Sequence, residues 1–223
     1  MNARGYFVAG TDTGVGKTLA TCALLERARA DGHRAAGMKP VAAGCADTPG
    51  GLRNDDALAL LRHAGAAADY ATVNPVALRE PLSPHLAAAR ESVAVDLAPV
   101  LAAFARLAAG ADLVLVEGAG GWLAPLSDAL AMNDLARRLG LPVILVVGLR
   151  LGCLNHAQLT ARAIAADGLR LAGWIGSAID PGMAARDDNV ATLRRRLPAP
   201  CLGVLPWAPG ADPATLADRL RLP

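Results

Sequence analysis

The stretch Gly10-Thr11-Asp12-Thr13-Gly14-Val15-Gly16-Lys17-Thr18 decides how this chain of 223 residues is read. It follows a short apolar run over 6–10, which reads as a buried strand, and opens the segment 17–30, which reads as a helix. A glycine-rich turn between a strand and a helix is the setting in which backbone amides cradle phosphate. Gly14 and Gly16 let the chain curl so that successive N–H groups point inward, and the helix adds the positive end of its dipole. Lys17 is spaced to reach the β- and γ-phosphates of a nucleoside triphosphate, and the Thr18 hydroxyl to ligate Mg²⁺. The strict pattern GxxxxGK[ST] fails at one position, where Thr11 replaces the first glycine.

Outward from this loop, short apolar runs alternate with longer amphipathic ones. Strands are expected over 6–10, 34–39, 113–117, 143–148, 171–179 and 201–205, and helices over 17–30, 56–63, 96–109, 133–139, 156–166 and 185–197. Several of the strands are apolar at successive positions, as strands buried on both faces are. Gly32, Gly110, Gly140 and Gly168 follow four of the helices, where a left-handed cap is needed. The rhythm implies right-handed crossovers and a mainly parallel sheet with helices on both faces. With no repeat, heptad array or low-complexity linker, a single α/β domain of the phosphate-loop NTPase type is expected over 1–223. Residues 40–95 break the rhythm with Gly44, Pro49, Gly50, Gly51, Pro75, Pro81 and Pro84, and long irregular stretches of this kind are either functional or solvated insertions.

Composition narrows the function classes. Hydrophobic residues make up 53% and charged residues 19%, which excludes a disordered chain. Twenty-two Lys+Arg against twenty Asp+Glu, a net charge of +2, is no basic footprint for nucleic acid. The most apolar stretch, 141–149, is about half of a ~20-residue membrane span, and the N-terminus has no apolar signal core. Cys22, Cys45, Cys153 and Cys201 are scattered without a CxxC pair and read as reduced thiols in a cytoplasmic protein.

Three further features are expected to converge on the phosphate loop. The run 113–117 ends in Glu117, and the end of a parallel strand beside such a loop is where a second metal ligand belongs. Gly118, Gly120 and Gly121 then let the backbone pass close to phosphate. Asp55 and Asp56 open the helix at 56–63; they either complement its dipole or supply one Mg²⁺ ligand. Lys39 ends the second strand, either pointing into the crevice where open α/β sheets bind ligands or lying on the surface.

Read together, several segments resemble the ATP-dependent dethiobiotin synthetase family. They are the phosphate loop, Gly37-Met38-Lys39-Pro40-Val41, Gly51-Leu52-Arg53-Asn54 with Asp56-Ala57, Val116-Glu117-Gly118-Ala119-Gly120-Gly121-Trp122, Leu151-Gly152-Cys153-Leu154-Asn155-His156 and Leu205-Pro206-Trp207. The resemblance implies a homodimer of seven-stranded, mostly parallel α/β subunits with the active site at the interface. It implies ring closure of 7,8-diaminononanoate with CO₂, ATP and Mg²⁺ to give dethiobiotin, ADP and phosphate, through a carbamate and a carbamic-phosphoric anhydride. Lys39 and Lys17 would be the catalytic residues. Mg²⁺ would sit on Thr18, Asp56 and Glu117. ATP would be held by Gly14, Val15, Gly16, Lys17, Thr18, Leu19, Asp56, Glu117, Gly118, Ala119 and Gly120, with Ser177, Ala178, Pro206, Trp207 and Ala208 around the base. The diamine would meet Thr13, Lys39 and Ala43, and its far carboxylate would meet Gly152, Cys153, Leu154 and Asn155 of the second subunit, at a helix start whose N–H groups suit an anion. Asn155 also reads as an ordinary N-cap.

Two positions depart from the family's pattern. Ala43 stands where a serine is common, and Ser177 where an asparagine commonly reads the adenine edge. A hydroxyl cannot make the paired donor–acceptor contact of an amide, so looser choice of nucleotide base is expected.

Two rivals share the nucleotide core. A partitioning or positioning ATPase carries a signature lysine early in the phosphate loop, where this chain has Asp12. A cobalamin-type amidotransferase needs a glutaminase domain for which 223 residues leave no room. Cys153 reads as a structural thiol. The four histidines lack metal-ligand spacing; only His85, in Ser83-Pro84-His85, is a candidate neighbour of the substrate.

Overall fold

Strand β1 (Arg4–Gly10) runs through the middle of the sheet and delivers the chain into the loop 11–16 and helix α1 (Lys17–Ala30) in the computed structural model, which describes residues 3–223. There follow β2 (Ala35–Met38), the short strands β3 (Val41–Ala42), β4 (Ala46–Thr48) and β5 (Gly51–Arg53), and helices α2 (Asp55–His63) and α3 (Tyr70–Val73). Strand β6 (Val76–Ala77) and helix α4 (Pro84–Arg90) close the irregular segment. Regular alternation then resumes with α5 (Leu97–Gly110), β7 (Leu113–Glu117), α6 (Met132–Leu139), β8 (Val143–Leu149) and α7 (Cys153–Ala166). It ends with β9 (Leu171–Ala178), α8 (Arg186–Arg196), β10 (Cys201–Leu205) and a 3₁₀ turn at Pro213–Arg219.

The central sheet has the order β10-β9-β8-β1-β7-β2, with every neighbouring pair parallel. It contains six strands among the described residues, where the resemblance implied seven. Beyond β10 the C-terminal segment makes an isolated bridge, Gly203 with Leu220, too little to count as a strand. The short strands of the irregular segment pair outside the main sheet, β3 with β6 and β4 with β5.

Period-two alternation on β1 sorts its side chains between two cores. Tyr6 and Val8 pack with Leu24 and Leu25 of α1 on one face; Phe7 and Ala9 pack with Val100 and Leu135 of α5 and α6 on the other. Burying each such side chain contributes roughly 1.5–3 kcal/mol. Phe7 also meets Trp122 edge to face, with centroids 6.1 Å apart, and the Trp122 indole donates to Asp167 at 2.7 Å. These contacts clamp the segment that follows β7.

Helix α7 begins at Cys153, three residues earlier than the pattern implied, with Gly152 at φ 97° as its N-cap; Asn155 is therefore inside the first turn rather than a cap. Gly32, Gly140 and Gly168 take the left-handed conformation expected of caps, whereas Gly110 remains in the last turn of α5. Among the described residues no helix is long and apolar enough to cross a membrane.

Candidate active site

Register brings the functional ends of the strands level: Val8 of β1 pairs with Glu117, and Val116 with Met38, the residue before Lys39. The phosphate loop, Lys39 and Glu117 therefore emerge at the carboxyl edge of the sheet, where open α/β folds bind ligands.

The loop is shaped by two left-handed glycines, Gly14 at φ 72° and Gly16 at φ 83°, conformations costly for any residue with a Cβ. Space also requires glycine at 16, since a Cβ there would lie 2.6 Å from the Ser177 hydroxyl. Thr11, which breaks the strict motif, joins the loop to β8. Its N–H donates to the Val146 carbonyl at 3.0 Å and its hydroxyl accepts from the Gly148 N–H at 3.3 Å. Asp12 pairs with Arg150 at 2.8 Å and accepts from the Thr13 N–H. The Lys17 ammonium donates to the Asp12 carbonyl at 2.9 Å. Burial, then the neighbouring Lys39 charge, lowers the Lys17 pKa to about 8.

Lys39 is 4% exposed and donates at 2.7 Å to both Asp56 and Glu117. Burial by itself pushes its ammonium toward deprotonation, but the two carboxylates outweigh this and hold its pKa above the ordinary lysine value. Burial also opposes ionisation of Asp56, and Lys39 overcomes it to keep that carboxyl below the usual range. Glu117 is fully buried; its Oε1 accepts from Thr18 at 2.9 Å and from Lys39, while its Oε2 has no partner among the described residues.

A second tier of polar contacts holds these groups in place. Asn54 caps α2 by accepting from the Ala57 N–H, which sets Asp56 in the first turn. The Tyr70 hydroxyl accepts from the Asn54 N–H and donates to Asn74, and the Arg53 guanidinium lies 4.2 Å over the Tyr70 ring. Asn74, 4% exposed, donates to the Lys39 carbonyl at 2.7 Å. At the far end of α2, His63 meets Glu26 of α1 at 2.8 Å.

These groups open on a cleft of about 800 Å³. Of the residues singled out from sequence, Thr13, Gly14, Gly16, Lys17, Thr18, Lys39, Ala43, Asp56, Glu117, Ala119 and Gly120 line it together. Val15 and Leu19 instead pack into the core, and Gly118 is buried over Phe7. Ser177 is buried beneath Gly16, and Ala178 ends β9 next to it. Pro206, Trp207 and Ala208 follow β10, with Trp207 about half exposed. Gly152, Cys153, Leu154 and Asn155 do not line this cleft; they form the start of α7, where Cys153 is buried and Leu151 is 91% exposed. Ala42, Asn54, Pro81, Leu82, Ser83, Pro84 and Ala124 also line the cleft and were not expected as site residues. The Ser83-Pro84-His85 segment was the one available signal; chain folding alone brings the others in.

The donor set fits a hard divalent cation. A hydroxyl and two carboxylates converge, one with a buried unpartnered oxygen, and Mg²⁺ typically takes one or two carboxylates plus phosphates and water.

A family model described as an AAA domain matches residues 4–215. The ATP-dependent dethiobiotin synthetase BioD of Xanthomonas euvesicatoria pv. vesicatoria is 56% identical over 223 residues, covering all of both chains. That of Aromatoleum aromaticum is 54% identical, covering 99% of this chain and 98% of its own. Among solved structures, MinD in the MinC:MinD cell division complex of Aquifex aeolicus superposes with a TM-score of 0.59 at 17% identity, over 93% of this chain and 83% of that one. The cell division protein FtsY of Thermotoga maritima gives 0.54 at 17%, over 97% and 67%. At such identities these two likenesses concern the fold alone.

Proposed function

The chain belongs to the ATP-dependent dethiobiotin synthetase family and is an ATP-dependent ligase of biotin synthesis; from that premise we propose how its cleft closes the ring. One amine of 7,8-diaminononanoate adds to CO₂ and loses a proton, giving a carbamate. A carbamate oxygen attacks the γ-phosphorus of ATP and ADP departs, leaving a carbamic-phosphoric anhydride. The second amine attacks the carbonyl carbon, phosphate leaves with the bonding pair, and a proton is lost.

Carbamate and γ-phosphate are both anions, so their approach requires cationic groups already aimed at the developing charge. Lys17 and the loop amides at Gly14 to Thr18 would grip the phosphates, and Lys39 would lie between γ-phosphate and carbamate. Thr18, Asp56 and Glu117 would hold Mg²⁺, which when bound supplies charge neutralisation to the phosphoryl oxygens. Thr13 and Ala43 would flank the diamine end. Gly152 to Asn155 would receive the far carboxylate of a substrate bound to the second subunit of a homodimer, and residues 177–178 and 206–208 would border the base. The enzyme would act as one nucleotide-binding domain in the cytoplasm.

The observation that carries this reading is the Lys39 ammonium, held 2.7 Å from both Asp56 and Glu117 on the wall of the cleft that the phosphate loop shares. Positioning and charge placement account for the rate without a separate general base of unusual pKa. The test is phosphate release and dethiobiotin formation assayed with each component omitted in turn. Both must require the diamine and bicarbonate; hydrolysis indifferent to the diamine would overturn the reading.

A further inference from the structure

One wall of the cleft is formed by residues 42–43 and 81–84, tied together by the Gly44 N–H on the Glu80 carbonyl at 3.0 Å and the Leu78 N–H on the Ala42 carbonyl at 2.8 Å. Ala42, Ala43, Pro81, Leu82 and Pro84 make this wall apolar. Neighbouring Asn54 is committed to capping α2 and to the Ala43 carbonyl. Ser83 is then the polar side chain the wall offers to a ligand.

Its environment sets it apart. Ser83 is the N-cap of α4, a position where a serine hydroxyl normally accepts from the N–H groups of the first turn, yet it makes no such bond. It lies instead 3.0 Å from Nδ1 of His85. When the hydroxyl donates to that nitrogen, both oxygen lone pairs remain free to accept.

Hydrogen-bond acceptors are what a diamine needs here. Asp56 and Glu117 are paired with Lys39, and the Thr18 hydroxyl donates to Glu117. Outside this cluster of Thr18, Lys39, Asp56 and Glu117, the hydroxyls of Thr13 and Ser83 are the side-chain acceptors of the cleft that are not taken up elsewhere. We propose that Ser83 is a substrate-binding residue whose hydroxyl oxygen accepts an N–H of the vicinal diamine, with His85 as the positioning residue that orients it. The proposal rests on the reading of the cleft as a dethiobiotin synthetase site. Pockets obtain specificity from a few such polar groups on an apolar lining.

Steady-state kinetics with diamine and ATP varied separately test this. Ser83→Ala is expected to raise the KM for the diamine about tenfold while the KM for ATP stays within about twofold, the effect of losing one hydrogen bond on one substrate only. Ser83→Thr keeps the hydroxyl and is expected to remain near wild type. His85→Ala is expected to raise the diamine KM, and His85→Asn, which can present an acceptor in its place, to recover most of the loss. A diamine KM unchanged in Ser83→Ala overturns the proposal, and so does a rise in both KM values together, which marks a general disturbance of the cleft. Wild-type protein that makes no dethiobiotin overturns the site reading itself, and this proposal with it; that outcome is read before any variant is made.

Discussion

Replacing Lys39 with methionine exposes what the buried ion cluster contributes. The ammonium is almost fully enclosed and is shared by a half-exposed Asp56 and a fully buried Glu117. Removing it leaves the fully buried Glu117 carboxylate without its counter-ion, retaining the Thr18 hydroxyl on Oε1. Breaking a buried pair from one side costs about 3–5 kcal/mol. Thr18 and the nearby Lys17 charge offset part of this, so about 3 kcal/mol is the expected loss. For a chain of this size about 1 kcal/mol corresponds to 2–4 °C, which puts the fall in Tm at roughly 6–12 °C without nucleotide or metal. Glu117→Gln made in the Lys39→Met background removes the orphaned charge, and is expected to bring the double variant back to within about 1 kcal/mol of wild type. Calorimetry of the single and double variants completes the cycle. A fall of less than 2 °C in Lys39→Met, or a double variant no more stable than that single one, would show that the cluster is not the buried charge system inferred from its geometry. The same Lys39→Met protein should still bind ATP within a few-fold and form no dethiobiotin.

Gly16→Ala forces a left-handed alanine at φ 83° onto the Ser177 hydroxyl, a strain of about 1–2 kcal/mol before the clash is counted. Its ATP affinity, measured by titration calorimetry, is expected to fall at least tenfold, and Ser177→Gly in the same chain should recover the part due to the clash but not the part due to φ. If Ser177 borders the base as proposed, its hydroxyl stands in for an amide, and kcat/KM values for ATP, CTP and GTP should lie within about tenfold of one another; a strong ATP preference refutes the expectation. Burial pushes the thiols of Cys22, Cys45 and Cys153 up, so at pH 7.5 they are protonated and enclosed. Timed alkylation followed by mass spectrometry should therefore modify the partly exposed Cys201 first, and rapid labelling of Cys22 in folded protein would contradict the structure.

Periodicity located the regular framework closely. The expected helix at 17–30 and the strands at 113–117 and 201–205 match α1, β7 and β10, because an apolar run bounded by glycine or proline leaves little choice of element. Short pieces were harder. Residues 41–77 contain three two- or three-residue strands, a two-residue strand and a four-residue helix, and elements of that length exist only because neighbours pair with them. The sheet has six strands among the described residues where the resemblance implied seven, and beyond β10 the C-terminal segment adds only an isolated bridge, Gly203 with Leu220.

Local chemistry on the chain was sufficient to identify a phosphate loop, to mark Lys39, Asp56 and Glu117, and to point to the family, since glycine spacing and strand-end residues carry that information within a few positions. Which of these groups meet, and in what state, depended on contacts between residues far apart in the chain. Lys39 touches Glu117 across 78 positions, Thr18 reaches the same carboxylate across 99, and Arg150 pairs with Asp12 across 138. Ser177 lies under Gly16, and Ser83 faces the cleft beside Ala43. Burial and through-space charge set these relations, and both arise only when a parallel sheet brings the carboxyl ends of separate strands to one edge.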